Sequence, residues 1–232
     1  MIVVIHGLTE EEKFQILRPM IGECEYDKFE IPIVKSSPIL FNNINKIKIA
    51  GLQNAKPDNS NKEKLLHMFN YDKKLTTLWN NPLKYVPLFQ SYFAVATPDF
   101  SIYPNMNIND IRHNVYKQRW LGRIWQNYDC NVWPTVGWAG SNTYDLCFEN
   151  IEEGSVVTIS TIGCQKNKEM FLEGFNEMKK RIKPQLVVVY GEMIEGMTGT
   201  FINFKYIEAF EKNYEQLRLE CVPTVFTIEE EM

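Results

Sequence analysis

The sequence predicts an α/β fold with a largely parallel sheet and covering helices, arranged as an irregular or incomplete (β/α)8-like barrel in preference to an open doubly wound sheet. Three observations carry this. Short apolar, β-branched runs bounded by turn residues recur along the chain, as strands do. Several are apolar throughout rather than alternating, which strands covered on both faces require. From Phe93 onward such runs alternate with helical or short helical segments, the order that right-handed crossovers wind into an α/β layer or barrel. The 232 residues suit one core and a single α/β domain over 1–232, but are few for a complete eight-stranded barrel.

The strand-like runs, in order, are Met1 to Ile5, Phe29 to Val34, Ile47 to Ala50, Phe93 to Thr97, Val132 to Val136, Ser155 to Ile162, Leu186 to Tyr190 and Val222 to Ile228. Residues 1–64 are less regular, and the polar stretch Gln53 to Lys64, with Pro57, Asp58 and Asn59, reads as a surface loop. Between the later strands, Met170, Phe171, Gly174, Phe175, Met178 and Ile182 fall on one helical face, and Glu169, Glu173, Glu177, Lys179 and Lys180 lie opposite. Phe204, Ile207, Phe210, Tyr214 and Leu217 predict a second such helix before the last strand. The glycine-rich segment Gly191 to Thr200 reads either as a mobile lid or as a plain surface loop.

Composition narrows the classes of function. With 44% hydrophobic and 13% aromatic residues the chain can repay its folding entropy, and 25 basic against 29 acidic residues argue against coating DNA by bulk positive charge. The 5 cysteines form no C-x-x-C pair and the 3 histidines stand in no metal-ligand spacing, so neither a disulfide framework nor a metal site is read. No apolar run is long enough to span a bilayer, and the first residues lack the pattern of a secretory leader, so the expectation is a cytoplasmic protein with no membrane partner.

In an α/β fold, ligands sit outside the carboxyl ends of parallel strands. There the sequence places Asp99 and Ser101, Trp138, Ser160, Tyr190 and Glu192. Asp99 and Glu192 are the candidate acid and base, since a carboxyl at each of two strand ends can be tuned apart by its surroundings. The alternative is that Asp99 caps a turn and Glu192 is solvated. Cys164 lies near the same glycine turn, but no histidine is placed to activate it, and a small buried strand-end residue is its plainer reading. The densest feature is HNVYKQRWLGRIW, residues 113–125, where Tyr116, Arg119, Trp120 and Arg123 share one side of a helix. Guanidinium groups beside aromatic faces suit a phosphate and a stacked base. The same pattern also builds an ordinary helix, with Trp packed on the sheet and Arg paired to its neighbours.

The runs TPDFSIYPNMN, NVYKQRWLGRIWQ, VWPTVGWA, CFENIEEGSVVTISTIGC and VVVYG resemble the uncharacterised family numbered 4417 among domains of unknown function, whose members are commonly carried by phages and mobile elements. The resemblance spans a core of residues 65–192. It implies no activity, but the matching positions include Asp99, Ser101, Tyr116, Arg119, Trp120, Trp138, Ser160 and Tyr190. Gly137 and Ala139 depart from the serines that often flank this Trp in the family.

Together these readings predict a phage or mobile-element enzyme acting on a nucleotide, nucleobase or nucleic-acid end. Asp99 or Glu192 would serve as acid or base, Arg119 as phosphate clamp, Trp120 and Trp138 as stacking walls, and Ser160 and Tyr190 as orienting groups, beside ligand-binding Ser101 and Tyr116. The rival is a non-catalytic protein that sequesters a nucleotide or binds a host defence or replication protein. No cofactor is named by the sequence.

Overall fold

The computed structural model describes residues 7–37, 39, 44, 47–206 and 225–230. Its first sheet holds β1 (Lys48–Gly51), β2 (Lys64–His67), β3 (Ala94–Ala96) and β4 (Val132–Trp133), all parallel and in chain order. Its second holds β5 (Val156–Ser160), β6 (Leu186–Tyr190), β7 (Gly199–Phe204) and β8 (Phe226–Ile228), where only β8 runs antiparallel. The two sheets meet where β4 runs on: Thr135 bridges Thr158 in parallel, and the Val136 N–H donates to the Thr158 carbonyl at 2.8 Å.

Six helices accompany the strands among the described residues: α1 (Glu10–Leu17), α2 (Asp72–Asn80), α3 (Val86–Phe89), α4 (Ile108–Gln126), α5 (Tyr144–Phe148) and α6 (Lys168–Ile182). Strand residues alternate between two environments. Leu66, Val95 and Val132 pack with Leu75, Leu121 and Ile124 of the helices, as do Val157, Ile159, Val187 and Val189 with Phe175, Met178 and Ile182. On the opposite face Leu65, Ala94, Ala96, Trp133, Val156, Leu186, Val188 and Ile202 form a cluster that contains no residue of α1 to α6. A doubly wound sheet carries helices on both faces. Among the described residues one face has them and the other packs on itself, the arrangement of a sheet curling toward a barrel. No pairing joins β1 to β7 among the described residues, so the barrel is incomplete.

The long helices follow from their sequences. Asn107 caps α4, its side chain accepting from the Asn109 N–H at 2.9 Å, and α6 buries Phe171, Gly174, Phe175, Met178 and Ile182 on the face its periodicity predicts. Lys179, Lys180 and Arg181 in its last turn oppose the helix dipole favourably.

The differences from the sequence reading are local. β2 and β7 are strands that the sequence reading left unassigned, and Phe29 to Val34 forms only isolated bridges, Tyr26 to Pro32 and Val34 to Ile151. The polar stretch after β1 contains two 3-10 turns, Leu52–Asn54 and Asn59–Glu63, with Asn61 buried. Gly191 to Thr198 is anchored by Ile194 and Met197, which are buried in the main core, and Gly199 already opens β7. Phe204, expected on a helix, ends β7, and the runs Met1 to Ile5 and 207–217 lie outside the described residues.

Candidate functional site

At the carboxyl ends of β3, β4 and β5 lies a cleft of about 310 Å³, near the lower end of the range for small-molecule sites. β3 contributes Asp99 and Ser101 through the turn that follows it, β4 contributes Gly137 and Trp138, and β5 contributes Ser160 and Cys164. Met170 and Phe171 of α6 close one side. Trp138 sits 5.1 Å from Phe171, ring centre to ring centre, and reaches that position because α6 has no side chain at Gly174: a Cβ there would meet the indole Nε1 at 2.1 Å.

Among the described residues Asp99 is the ionisable carboxyl of this lining. Its backbone N–H reaches the Met68 carbonyl at 3.3 Å, which joins the ends of β2 and β3. Among the described residues its carboxyl makes no side-chain hydrogen bond. Burial, and secondarily the neighbouring Asp72, pushes its pKa up to about 7, because the charged form is poorly solvated and repelled. Burial also raises the Cys164 thiol, with Asp99 adding to the effect, which disfavours the thiolate a nucleophile needs.

The turn that carries Asp99 is held by side chains from two helices. Asp72, in the first turn of α2, accepts from the Ser101 N–H at 3.1 Å and from its hydroxyl at 3.0 Å, both on Oδ1. From α4, Asn114 donates to the Ser101 carbonyl at 2.7 Å and Gln118 to the Phe100 carbonyl at 2.9 Å. Across the cleft, the Ser160 hydroxyl oxygen accepts from the Ile162 N–H at 3.2 Å.

The structure therefore brings together Asp99, Ser101, Trp138 and Ser160. It places the other candidates elsewhere. Glu192 is exposed beyond β6 and does not line the cleft. Tyr190 is buried on the inner face of the sheet, 4.6 Å from His67 and 5.2 Å from Phe69, with which its ring is nearly parallel. Arg119 is fully buried and donates to the Asn150 Oδ1 at 2.6 Å, the Thr135 carbonyl at 2.8 Å, the Cys147 carbonyl at 3.1 Å and the Gln118 Oε1 at 3.3 Å. Burial lowers its pKa to about 10, and its bond to Thr135 fixes the end of β4 beneath the cleft. Trp120 is buried, its indole N–H donating to the Arg18 carbonyl at 3.1 Å, and it packs edge-on to Trp79 at 5.5 Å. Tyr116, half-buried, joins the same aromatic cluster at 5.8 Å from Trp79. The Arg and Trp face of α4 is thus turned into the protein.

Sequence reasoning missed Asp72 because it missed β2. Reading KLLHMF as a strand would have placed Asp72 on the segment leaving its carboxyl end. Among the described residues no three His, Cys, Asp or Glu side chains gather as a metal site, and no helix is long and apolar enough to cross a membrane.

A curled, nearly all-parallel sheet with polar groups at its carboxyl ends defines an α/β protein of barrel type. The family model described as Domain of unknown function (DUF4417) matches residues 24–208, more than the stretch legible by resemblance, and the chain belongs to that family. It is similar to the Gene 1 protein of Mycobacterium phage D29, 37% identical over 131 residues, which is 55% of this chain and 48% of that protein. The Gene 1 protein of Mycobacterium phage L5 is 38% identical over 131 residues, covering 55% of this chain and 57% of the relative. The chain thus spans about half the length of the curated relatives it matches. No solved structure matches it.

Proposed function

We propose that this chain is an enzyme, in the setting of a phage or mobile element, that binds a nucleobase-bearing substrate in the strand-end cleft and uses Asp99 as general acid and base. The observation that carries the reading is Asp99 itself, a carboxyl without a side-chain partner among the described residues, held near neutrality at a strand end where substrates of this fold class bind. A group with a pKa near the working pH both gives and takes a proton efficiently. Trp138 supplies a planar wall for a ring, and Ser101 and Ser160 supply hydroxyl oxygens for its edge.

Among the described residues the lining contains no Lys or Arg, and Arg119 is committed inside the protein. Base recognition therefore dominates over phosphate recognition within the cleft. Asp99→Asn keeps the shape and removes the titrating proton. Purified variant and parent are compared by calorimetric titration with nucleosides and nucleotides, and by mass-spectrometric search for turnover. The expected outcome is ligand binding by the parent, weakened about tenfold or more in Asp99→Asn, with any turnover abolished.

A second reading, a binding protein directed at a host protein, is favoured by α1, where Ile16 and Leu17 are 60% and 63% exposed. Failure of the parent to bind any nucleoside or nucleotide turns the account to that reading.

A further inference from the structure

Asp99 and Ser101 stand two residues apart on one turn, and both line the cleft. A hydroxyl has one proton to give and two lone pairs to offer. The Ser101 proton is already committed to Asp72 Oδ1 at 3.0 Å, and the same oxygen takes the Ser101 backbone N–H at 3.1 Å. What Ser101 has left for a ligand is acceptor capacity alone. The orientation is rigid, because Asn114 and Gln118 hold the carbonyls of Ser101 and Phe100 from behind at 2.7 and 2.9 Å.

Beside this fixed acceptor, the Asp99 carboxyl has two oxygens and one exchangeable proton. Such a group is complementary to a ring nitrogen next to an exocyclic amine: one oxygen shares its proton with the ring nitrogen while the other accepts an amine N–H. The amine has a second N–H, and Ser101 offers the lone pair to receive it. An oxo-substituted ring presents a carbonyl at that place, which would face acceptor against acceptor and lose a hydrogen bond in a partly dry site.

Resting on the nucleobase reading above, we propose that the cleft selects amino-bearing heterocycles such as adenine and cytosine over their oxo counterparts, with Asp99 and Ser101 contacting the base and Asp72 acting as a positioning residue that holds Ser101 as an acceptor. Selection thus originates outside the cleft, in the first turn of α2.

The test is calorimetric titration of the full chain with adenosine against inosine and cytidine against uridine, repeated in Asp72→Ala, Ser101→Ala and Asp99→Asn. The expected result is an amino over oxo preference of about tenfold or more in the parent, as one mismatched polar contact implies. Asp72→Ala frees the Ser101 proton and Ser101→Ala removes the acceptor, so both variants reduce the preference to about threefold or less. If Asp72→Ala does not fold, Ser101→Ala carries the same comparison. Equal binding of both forms, still dependent on Asp99, overturns the selectivity and leaves the nucleobase site standing. Tighter binding of the oxo forms, or an unchanged amino preference in Ser101→Ala, overturns it too. Absence of binding by all four nucleosides overturns the selectivity together with the reading on which it rests.

Discussion

At the scale of single residues, a fully buried guanidinium and a half-buried carboxyl show opposite solutions to lost solvation. Arg119 keeps its charge by spending its donors on Asn150, Gln118 and two carbonyls, and Asn150 in turn donates to Asp27 at 3.2 Å. Asp99 has no such partners among the described residues and keeps its proton instead, with a folded-state pKa of about 7 against an ordinary 3.8. The sign of the stability effect follows. A folded pKa above the unfolded one means that the folded state holds the extra proton between those values, so this stabilisation is full below the ordinary pKa and is lost as pH rises through about 7. Asp99→Asn, which never ionises, removes that slope. In urea denaturation at a series of pH values the variant is expected to gain roughly 3 to 4 kcal/mol relative to the parent between pH 4 and pH 8. Parallel pH profiles would show that Asp99 does not titrate in this window.

At the scale of elements, the contact of α6 with the loop after β4 shapes the cleft. Gly174 lets Trp138 lie against the helix, where a Cβ would come within 2.1 Å of Nε1. Gly174→Ala gains about 1 kcal/mol of helix propensity but displaces the indole, and overpacking of this kind costs about 1–3 kcal/mol. The predicted outcome is a small net loss of stability in urea and a several-fold loss of nucleoside affinity, because the displaced ring is a cleft wall. Unaltered affinity would place the ligand away from Trp138. The same scale explains what was legible. The apolar runs of β5 and β6 and the single apolar face of α6 were readable because their residues are buried where periodicity puts them. The face of α4 was not. Spacing groups Tyr116, Arg119 and Trp120 together but does not say whether that face meets a ligand or the core, and the partners that decide it, Asn150 and Cys147, are distant in sequence. β2 is a short run that opens on Lys64, and β7 begins at Gly199, so neither shows an uninterrupted β-branched pattern.

At the scale of the whole molecule, the described residues put helices on one face of the sheet and leave the inner face packed on itself, which gathers the strand ends on one side. Four of the residues chosen from the strand-end rule, Asp99, Ser101, Trp138 and Ser160, meet in one cleft for that reason. Arg119 and Trp120, chosen from the spacing of guanidinium and aromatic groups along α4, are buried away from that cleft. The proposed function makes Asp99 a carboxyl poised for proton transfer within a ligand cleft. Its most direct test is a carboxyl-carbon NMR titration of Asp99, assigned through Asp99→Asn, in the free chain and with adenosine present. The expected midpoint lies near 7 in the free chain and shifts on adding adenosine. A midpoint near the ordinary 3.8, unmoved by adenosine, would contradict it.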